Sequence, residues 1–155
     1  MKVLVVEDDP ATAERIQEMI ERFGHRSETC VDTRSALWWA GKQTFDLILL
    51  DLFLPDGKGH AIIPVLVQLC PGTPIATMTG YNSRELELKV RELGVGTYLI
   101  KPIQSADLRA LLEHVEKRSR RTRERESSLN NVVSTPRLHP ETTWKTRKKT
   151  RRKET

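Results

Sequence analysis

Apolar residues along this chain follow two alternating rhythms. Compact runs occur at Lys2 to Val6 (KVLVV), Leu47 to Leu50 (LILL), Ile75 to Met78 (IATM) and Tyr98 to Ile100 (YLI). Short continuous runs of this kind suit strands buried on both faces of a parallel sheet. Arg26 to Cys30 is more polar, as an edge strand would be. Between the runs the spacing changes to threes and fours. Ile16, Met19, Ile20 and Phe23 stand at i, i+3, i+4 and i+7, after Pro10 and before Gly24. Asp32 or Thr33 can cap a second helix carrying Ala36, Leu37 and Ala40, which Gly41 is expected to close. Ile62, Ile63, Leu66 and Leu69 predict a third helix, with Pro64 tolerated in its first turn. Leu86, Val90 and Leu93 predict a fourth, stopped by Gly94, and Leu108, Leu111, Leu112 and Val115 a fifth. Alternating strands and helices predict an α/β fold: a (βα)5 doubly wound, five-stranded parallel sheet with right-handed crossovers.

The apolar runs stop at polar residues. The first ends in Glu7-Asp8-Asp9-Pro10, the central one at Asp51, the next at Thr79-Gly80 and the last at Lys101-Pro102. In an all-parallel sheet these ends share one edge, where ligands of such folds bind. Asp51 alone could be a turn-capping residue. Asp8, Asp9, Asp51, Thr79 and Lys101 together are not explained by capping, which would not select three carboxylates, a hydroxyl and an ammonium at one edge. Neighbouring carboxylates repel by roughly 1 kcal/mol per pair in water and about 4 kcal/mol at an intermediate dielectric. Lys101 supplies one compensating charge, and Mg2+, or Mn2+ in its place, suits one or two carboxylates plus waters. Calcium would want more oxygen ligands. A carboxylate nucleophile beside a cation, a lysine and a hydroxyl makes a phosphoryl-transfer site whose product is an aspartyl phosphate.

Composition adds an asymmetry. Residues 1 to 116 carry 12 Lys/Arg against 17 Asp/Glu, a balance of −5, whereas residues 117 to 155 carry 14 against 4, a balance of +10. The basic pI belongs to the tail. Cys30 and Cys70 lie in or beside apolar segments without metal-ligand spacing, as reduced buried thiols would. The absence of a leader pattern and of a membrane-spanning run predicts a soluble, cytoplasmic protein. Trp38 and Trp39 are adjacent on the second helix, so one of them must turn away from the sheet.

The acidic run after the first strand, DLFLPDGKG around Asp51, Thr79-Gly80, and Tyr98-Leu99-Ile100-Lys101-Pro102 occur in order and at strand ends. On these residues the chain, over residues 1 to about 118, resembles the receiver domain of two-component response regulators, the CheY-like form of the flavodoxin-like fold. The resemblance implies strand order 2-1-3-4-5 and Asp51 as phosphoacceptor, served by a histidine kinase or histidine phosphotransfer protein. It implies Mg2+ held by Asp9, Asp51 and the backbone carbonyl of Phe53, with Asp8 acting through water. It further implies Lys101 on the phosphoryl group, a cis peptide between Lys101 and Pro102, and a switch in which Thr79 moves to the phosphoryl oxygen while Tyr98 turns inward. Output would leave by the face made of the fourth helix, fifth strand and fifth helix. Such a protein is a phosphoacceptor switch, not an enzyme acting beyond its own phosphorylation and dephosphorylation. Leu54 is a conservative apolar exchange for the commoner methionine, and Gly80, where alanine is commoner, is expected to loosen the loop that moves. Phe53 and Tyr81, two residues past Asp51 and Thr79, border the phosphoryl position, and their bulk is expected to exclude water and lengthen its lifetime.

Beyond Val115, residues 117 to 126 show no apolar face. A helix could continue there through Glu116 and Arg120 at i, i+4, and disorder is expected from Ser127. Leu129, Val132, Val133, Leu138 and Trp144 are too few for an output domain, which predicts a stand-alone receiver (1–118) with a basic extension (119–155). The run Lys145 to Lys153 (KTRKKTRRK) can neutralise phosphates of nucleic acid or an acidic membrane surface. His139, before Pro140 and outside any helical pattern, is no phosphotransfer histidine. Two alternatives share parts of the pattern. A haloacid-dehalogenase-like phosphatase would need an acid where Phe53 stands, and a flavodoxin-like cofactor binder a phosphate loop where Glu7, Asp8 and Asp9 would repel phosphate.

Overall fold

A computed structural model describes residues 1–81 and 83–133. In chain order the elements are β1 (Lys2–Val6), α1 (Pro10–Arg22), β2 (Arg26–Cys30), α2 (Thr33–Lys42), β3 (Leu47–Asp51), β4 (Phe53–Leu54), β5 (Gly57–Lys58), a 3-10 turn (Gly59–Ile62), α3 (Ile63–Leu69), β6 (Ile75–Thr79), α4 (Arg84–Glu92), β7 (Thr97–Ile100) and α5 (Ser105–Val133). β2, β1, β3, β6 and β7 form one parallel sheet in that order, and β4 pairs antiparallel with β5 in a separate small hairpin. Counting only the strands of the large sheet, the order is 2-1-3-4-5, the CheY-like topology expected.

The apolar runs lack alternation because both faces of the sheet are covered. Leu4, Val6, Ile48 and Leu50 point to one face and pack with Ala36, Ala40, Ile63, Leu66 and Val90 of α2, α3 and α4. Val3, Val5, Leu47 and Leu49 point to the other and meet Ile16 and Ile20 of α1 and Leu108, Leu111, Leu112 and Val115 of α5. All four residues from Leu47 to Leu50 are completely buried. Removing each from water stabilises the fold by about 1.5–3 kcal/mol, which holds β3, and with it Asp51, rigidly at the centre. β2 takes the edge, as its polar composition predicts.

Some local expectations change. Gly41 does not close α2; the helix runs through it to Lys42 and leaves open space about its Cα. Leu69 of α3 is exposed. Trp38 is exposed with Lys42 over its ring, while Trp39 packs against the core, edge-on to Trp38 at 5.0 Å. Helix α5 continues without a break past residue 118 to Val133, so residues 127–133, expected to be disordered, are helical. Its exposed turns are laced by Glu116 with Arg120 and by hydroxyls of Thr122 and Ser128 bonding back one turn. His139, Trp144 and Lys145 to Lys153 lie outside the described residues.

Candidate functional site

The carboxyl ends of β1, β3, β6 and β7 meet at one edge because the strands are parallel and in register. Backbone bonds fix the ends there: Leu52 N–H donates to Met78 O (3.0 Å) and Lys101 N–H to Thr79 O (2.7 Å). Asp51 closes β3 and is only 3% exposed. One of its carboxylate oxygens, Oδ1, accepts from Phe53 N–H at 2.9 Å, and the other, Oδ2, meets Lys101 Nζ at 2.5 Å. The same ammonium lies 2.5 Å from Glu7 Oε2. Lys101 begins just after β7, and its peptide bond to Pro102 is cis.

Glu7 was not among the expected site residues. It follows the last residue of β1, with its N–H still paired to Cys30 O of β2 at 2.9 Å, and it is 1% exposed. One carboxylate oxygen from each of Glu7, Asp8 and Asp51 lies within 4.8 Å of the others. Burial holds the Glu7 carboxyl above its ordinary range, against the hydrogen bonds from Lys101 and the Asp9 N–H. Burial alone would depress Lys101, but its bonds to Asp51 and Glu7 outweigh that and raise it, so the ammonium stays protonated. Two buried carboxylates share one cation, with Asp8 exposed beside them. That excess of negative oxygen over ammonium is a donor set a hard divalent cation fits.

Asp9, expected as a direct metal ligand, is placed elsewhere. It is the N-cap of α1, accepting from Thr12 N–H at 2.9 Å and from the Thr12 hydroxyl at 2.5 Å, and these bonds lower its pKa. The acidic pair of the cluster is therefore Glu7 and Asp8, one position earlier than expected. The sequence held a signal for this: an aspartate directly ahead of a proline reads as N-cap and first helical residue. Pro10 claims Asp9 for the helix.

Thr79 is fully buried at the end of β6, where its hydroxyl donates to Tyr81 O (3.1 Å) and accepts from Tyr81 N–H (3.1 Å). Tyr98 on β7 is half-buried and sends its hydroxyl to the same Tyr81 carbonyl at 3.4 Å. Tyr81 and Phe53 are 67% and 49% exposed and line one cavity of about 220 Å³, with Leu52, His60 and Leu86 among its other walls.

Two further features hold the loop after Asp51. Asp56 reaches the first turn of α2, accepting from Thr33 N–H (3.0 Å), Thr33 Oγ1 (2.6 Å) and Arg34 N–H (3.3 Å). Gly59 lies directly on the backbone of the reactive residue: a Cβ there would stand 1.9 Å from Asp51 O. Neither is foreseeable from spacing: the first joins segments 23 residues apart, and the second depends on how the β4–β5 hairpin folds the loop back onto Asp51.

Comparison with known proteins agrees with this geometry. Residues 3–113 match the family model described as the response regulator receiver domain. The response regulator protein PilR of Pseudomonas aeruginosa is 30% identical over 111 residues, covering 72% of this chain and 25% of that protein. The transcriptional regulatory protein CiaR of Streptococcus pneumoniae is 30% identical over 133 residues, covering 86% of this chain and 59% of that protein. The chain thus spans a quarter to somewhat over half the length of these curated relatives. Among solved structures, a CheY-like receiver domain from Methanospirillum hungatei superposes with a TM-score of 0.72 at 26% identity, over 77% of this chain and 97% of that one. A response regulator from Burkholderia pseudomallei, solved with a phosphorylated aspartic acid, calcium ion and citrate, superposes at 0.68 and 26% identity over 83% and 74%.

Proposed function

Because this chain belongs to the response regulator receiver domain family, a family of phosphoacceptor switches, we propose that Asp51 is its phosphoacceptor and that a histidine kinase or histidine phosphotransfer protein is its donor. The observation that carries this is the setting of Asp51: a buried strand-end carboxylate held by a backbone N–H and a lysine, with two more carboxylates at hand. An Asp51 oxygen forms a bond to phosphorus as the bond from phosphorus to the donor's imidazole nitrogen breaks. Asp51 thereby gives up its carboxylate charge, and Lys101 follows the negative charge onto the phosphoryl oxygens. Glu7, Asp8 and Asp51, with the Phe53 carbonyl, would hold Mg2+ or Mn2+, which when bound supplies charge neutralisation for the transferring phosphoryl group.

Thr79 and Tyr98 share one acceptor, the Tyr81 carbonyl. Drawing the Thr79 hydroxyl to a phosphoryl oxygen releases the 79–81 turn that Tyr98 is tied to. The switch is a small two-state element biased by local charge. Its readout face is α4, β7 and α5, where Leu88 and Ile100 are exposed. Phe53 and Tyr81 border the site and would slow attack by water; Phe53→Asn with Tyr81→Ala should shorten the phosphoryl lifetime, and an unchanged decay rate would dispose of that role. Among the described residues no helix is long and apolar enough to cross a membrane, and we place the protein in the cytoplasm, where its phosphodonors act.

The test is labelling with acetyl phosphate and Mg2+, locating the phosphoryl group by mass spectrometry, and repeating with Asp51→Asn. A single acid-labile, base-labile group that hydroxylamine also removes, lost in the variant, is expected. Full labelling of Asp51→Asn would overturn the assignment.

A further inference from the structure

Helix α5 carries charge that its packing against the sheet does not use. Its core stripe ends at Val115, yet the helix continues to Val133. The basic residues beyond that stripe divide by face. Arg120 pairs with Glu116 at 3.7 Å and Arg123 with Asp46 at 4.0 Å, as Arg109 does with Glu113 at 3.0 Å. Lys117, Arg118, Arg121 and Arg125 are all exposed, and none of the four is in an ion pair among the described residues. At about 100° per residue they fall within an arc of about 100°, into which exposed His114 also falls and in which no carboxylate stands from Ala110 to Leu129, Asp107 lying on the same side nearly three turns before Lys117. Lys117 with Arg121 and Arg121 with Arg125 are like-charge pairs at i, i+4, a spacing that destabilises a helix when nothing intervenes.

We propose that this stripe is a binding site for the phosphodiester backbone of duplex DNA. From residue 117 to 125 the helix rises about 12 Å, a length over which a duplex presents about seven phosphate charges. Three of the four residues are arginines, whose planar forks suit phosphate oxygens. A membrane surface is a poorer fit: from 117 to 129 the large exposed apolar side chain is Leu129 alone, too little to bury at a lipid interface. Single-stranded nucleic acid is disfavoured too, since Ser105–Val133 contains no Phe, Tyr or Trp on which bases could stack. The later turns of α5 pass Asp46 and Gly72 to Pro74, which precede β3 and β6. DNA held there lies at the sheet edge opposite Asp51 and leaves that residue open to its phosphodonor.

The test uses the full chain and a labelled 20-base-pair duplex, with binding followed by fluorescence anisotropy from 50 to 200 mM KCl. Replacing Lys117, Arg118, Arg121 and Arg125 with Gln should reduce the slope of log K against log[KCl] by about 3.6, at 0.9 per phosphate released. Arg118→Lys, Arg121→Lys and Arg125→Lys together should keep the slope. Removing four charges at Lys145, Arg147, Lys148 and Lys149 should change it by less than half as much. Circular dichroism checks folding of the quadruple variant, and Arg121→Glu, a single change at an exposed position, repeats the test should that variant misfold. The proposal is overturned if the 145–149 variant takes the larger share of the slope, or if wild-type chain prefers phosphatidylserine vesicles or a single-stranded oligonucleotide. Absence of salt-dependent duplex binding overturns it as well. Asp51→Asn should leave the slope intact, which separates this site from the phosphoacceptor.

Discussion

Gly59 and Gly41 look alike as sequence positions, but the same substitution should act on them with opposite sign. An alanine Cβ at Gly59 would stand 1.9 Å from Asp51 O, 3.0 Å from Asp51 C and 3.2 Å from Leu52 Cα, all of them backbone atoms of the strand end that carries the phosphoacceptor. An ordinary carbon–oxygen contact is about 3.3 Å, so the two segments must part by about 1.4 Å. Neither can swing away freely. Gly59 N–H is bonded to Leu52 O at 3.0 Å, and the β4–β5 hairpin pairs Phe53 with Lys58. Overpacking against backbone belongs at the upper end of the usual penalty, about 3 kcal/mol, which in a chain of this size lowers Tm by roughly 6–12 °C. Displacement of about 1 Å at the reacting group slows chemistry by up to about 100-fold, so phosphorylation of Gly59→Ala by acetyl phosphate should fall roughly 10- to 100-fold. Gly41 is helical, exposed and has open space around it; Gly41→Ala should stabilise by about 0.5 kcal/mol and raise Tm by about 1–2 °C. Differential scanning calorimetry and a phosphorylation time course on the two variants decide it. A Gly59→Ala protein with unchanged Tm and rate would refute the close approach on which this reasoning rests.

Three further outcomes follow from the site. Glu7→Gln and Asp8→Asn should each weaken Mn2+ binding, measured by electron paramagnetic resonance, at least tenfold, while Asp9→Ala, which loses a helix cap, should stay within about twofold of wild type; the reverse order would restore Asp9 as the ligand. Lys101→Met leaves buried Glu7 and Asp51 facing each other, and breaking a buried pair costs about 3–5 kcal/mol; urea unfolding should show that loss without divalent ions and a partial recovery in 10 mM Mg2+, and an unshifted midpoint in metal-free buffer would count against the shared ammonium. Burial pushes the Cys30 thiol up to about 12, leaving about one part in 10⁴ as thiolate at pH 8. Native protein should therefore react with Ellman's reagent at Cys30 only on unfolding, and prompt labelling of that residue in the native state would contradict its burial.

Much of this molecule was determined by the sequence alone. The runs KVLVV, LILL and IATM have no alternation because both faces of the sheet are covered, and that burial is written directly into residue type. The helical stripes do the same at their own period, so strand order and the gathering of Asp51, Thr79 and Lys101 at one edge could be inferred from pattern and resemblance. Asp51 and Lys101 were legible because each ends or follows an apolar strand, where the chain has one direction to go. Tertiary structure decided which acids join them. In Glu7-Asp8-Asp9 three carboxylates are adjacent; Pro10 marks Asp9 as a helix cap within the sequence itself, but only the pairing of Glu7 with β2 and the arrival of Lys101 from β7 bring Glu7 into the site. It also decided that Gly59 lies on Asp51, that Asp56 staples its loop to α2, and that one flank of α5 keeps its arginines unmatched by carboxylates while the other does not. The Asp56 staple spans 23 residues, and Arg123 reaches Asp46 from the other end of the domain, so no local spacing announces either. Periodicity records whether a residue is buried, but only the folded backbone says what lies against it.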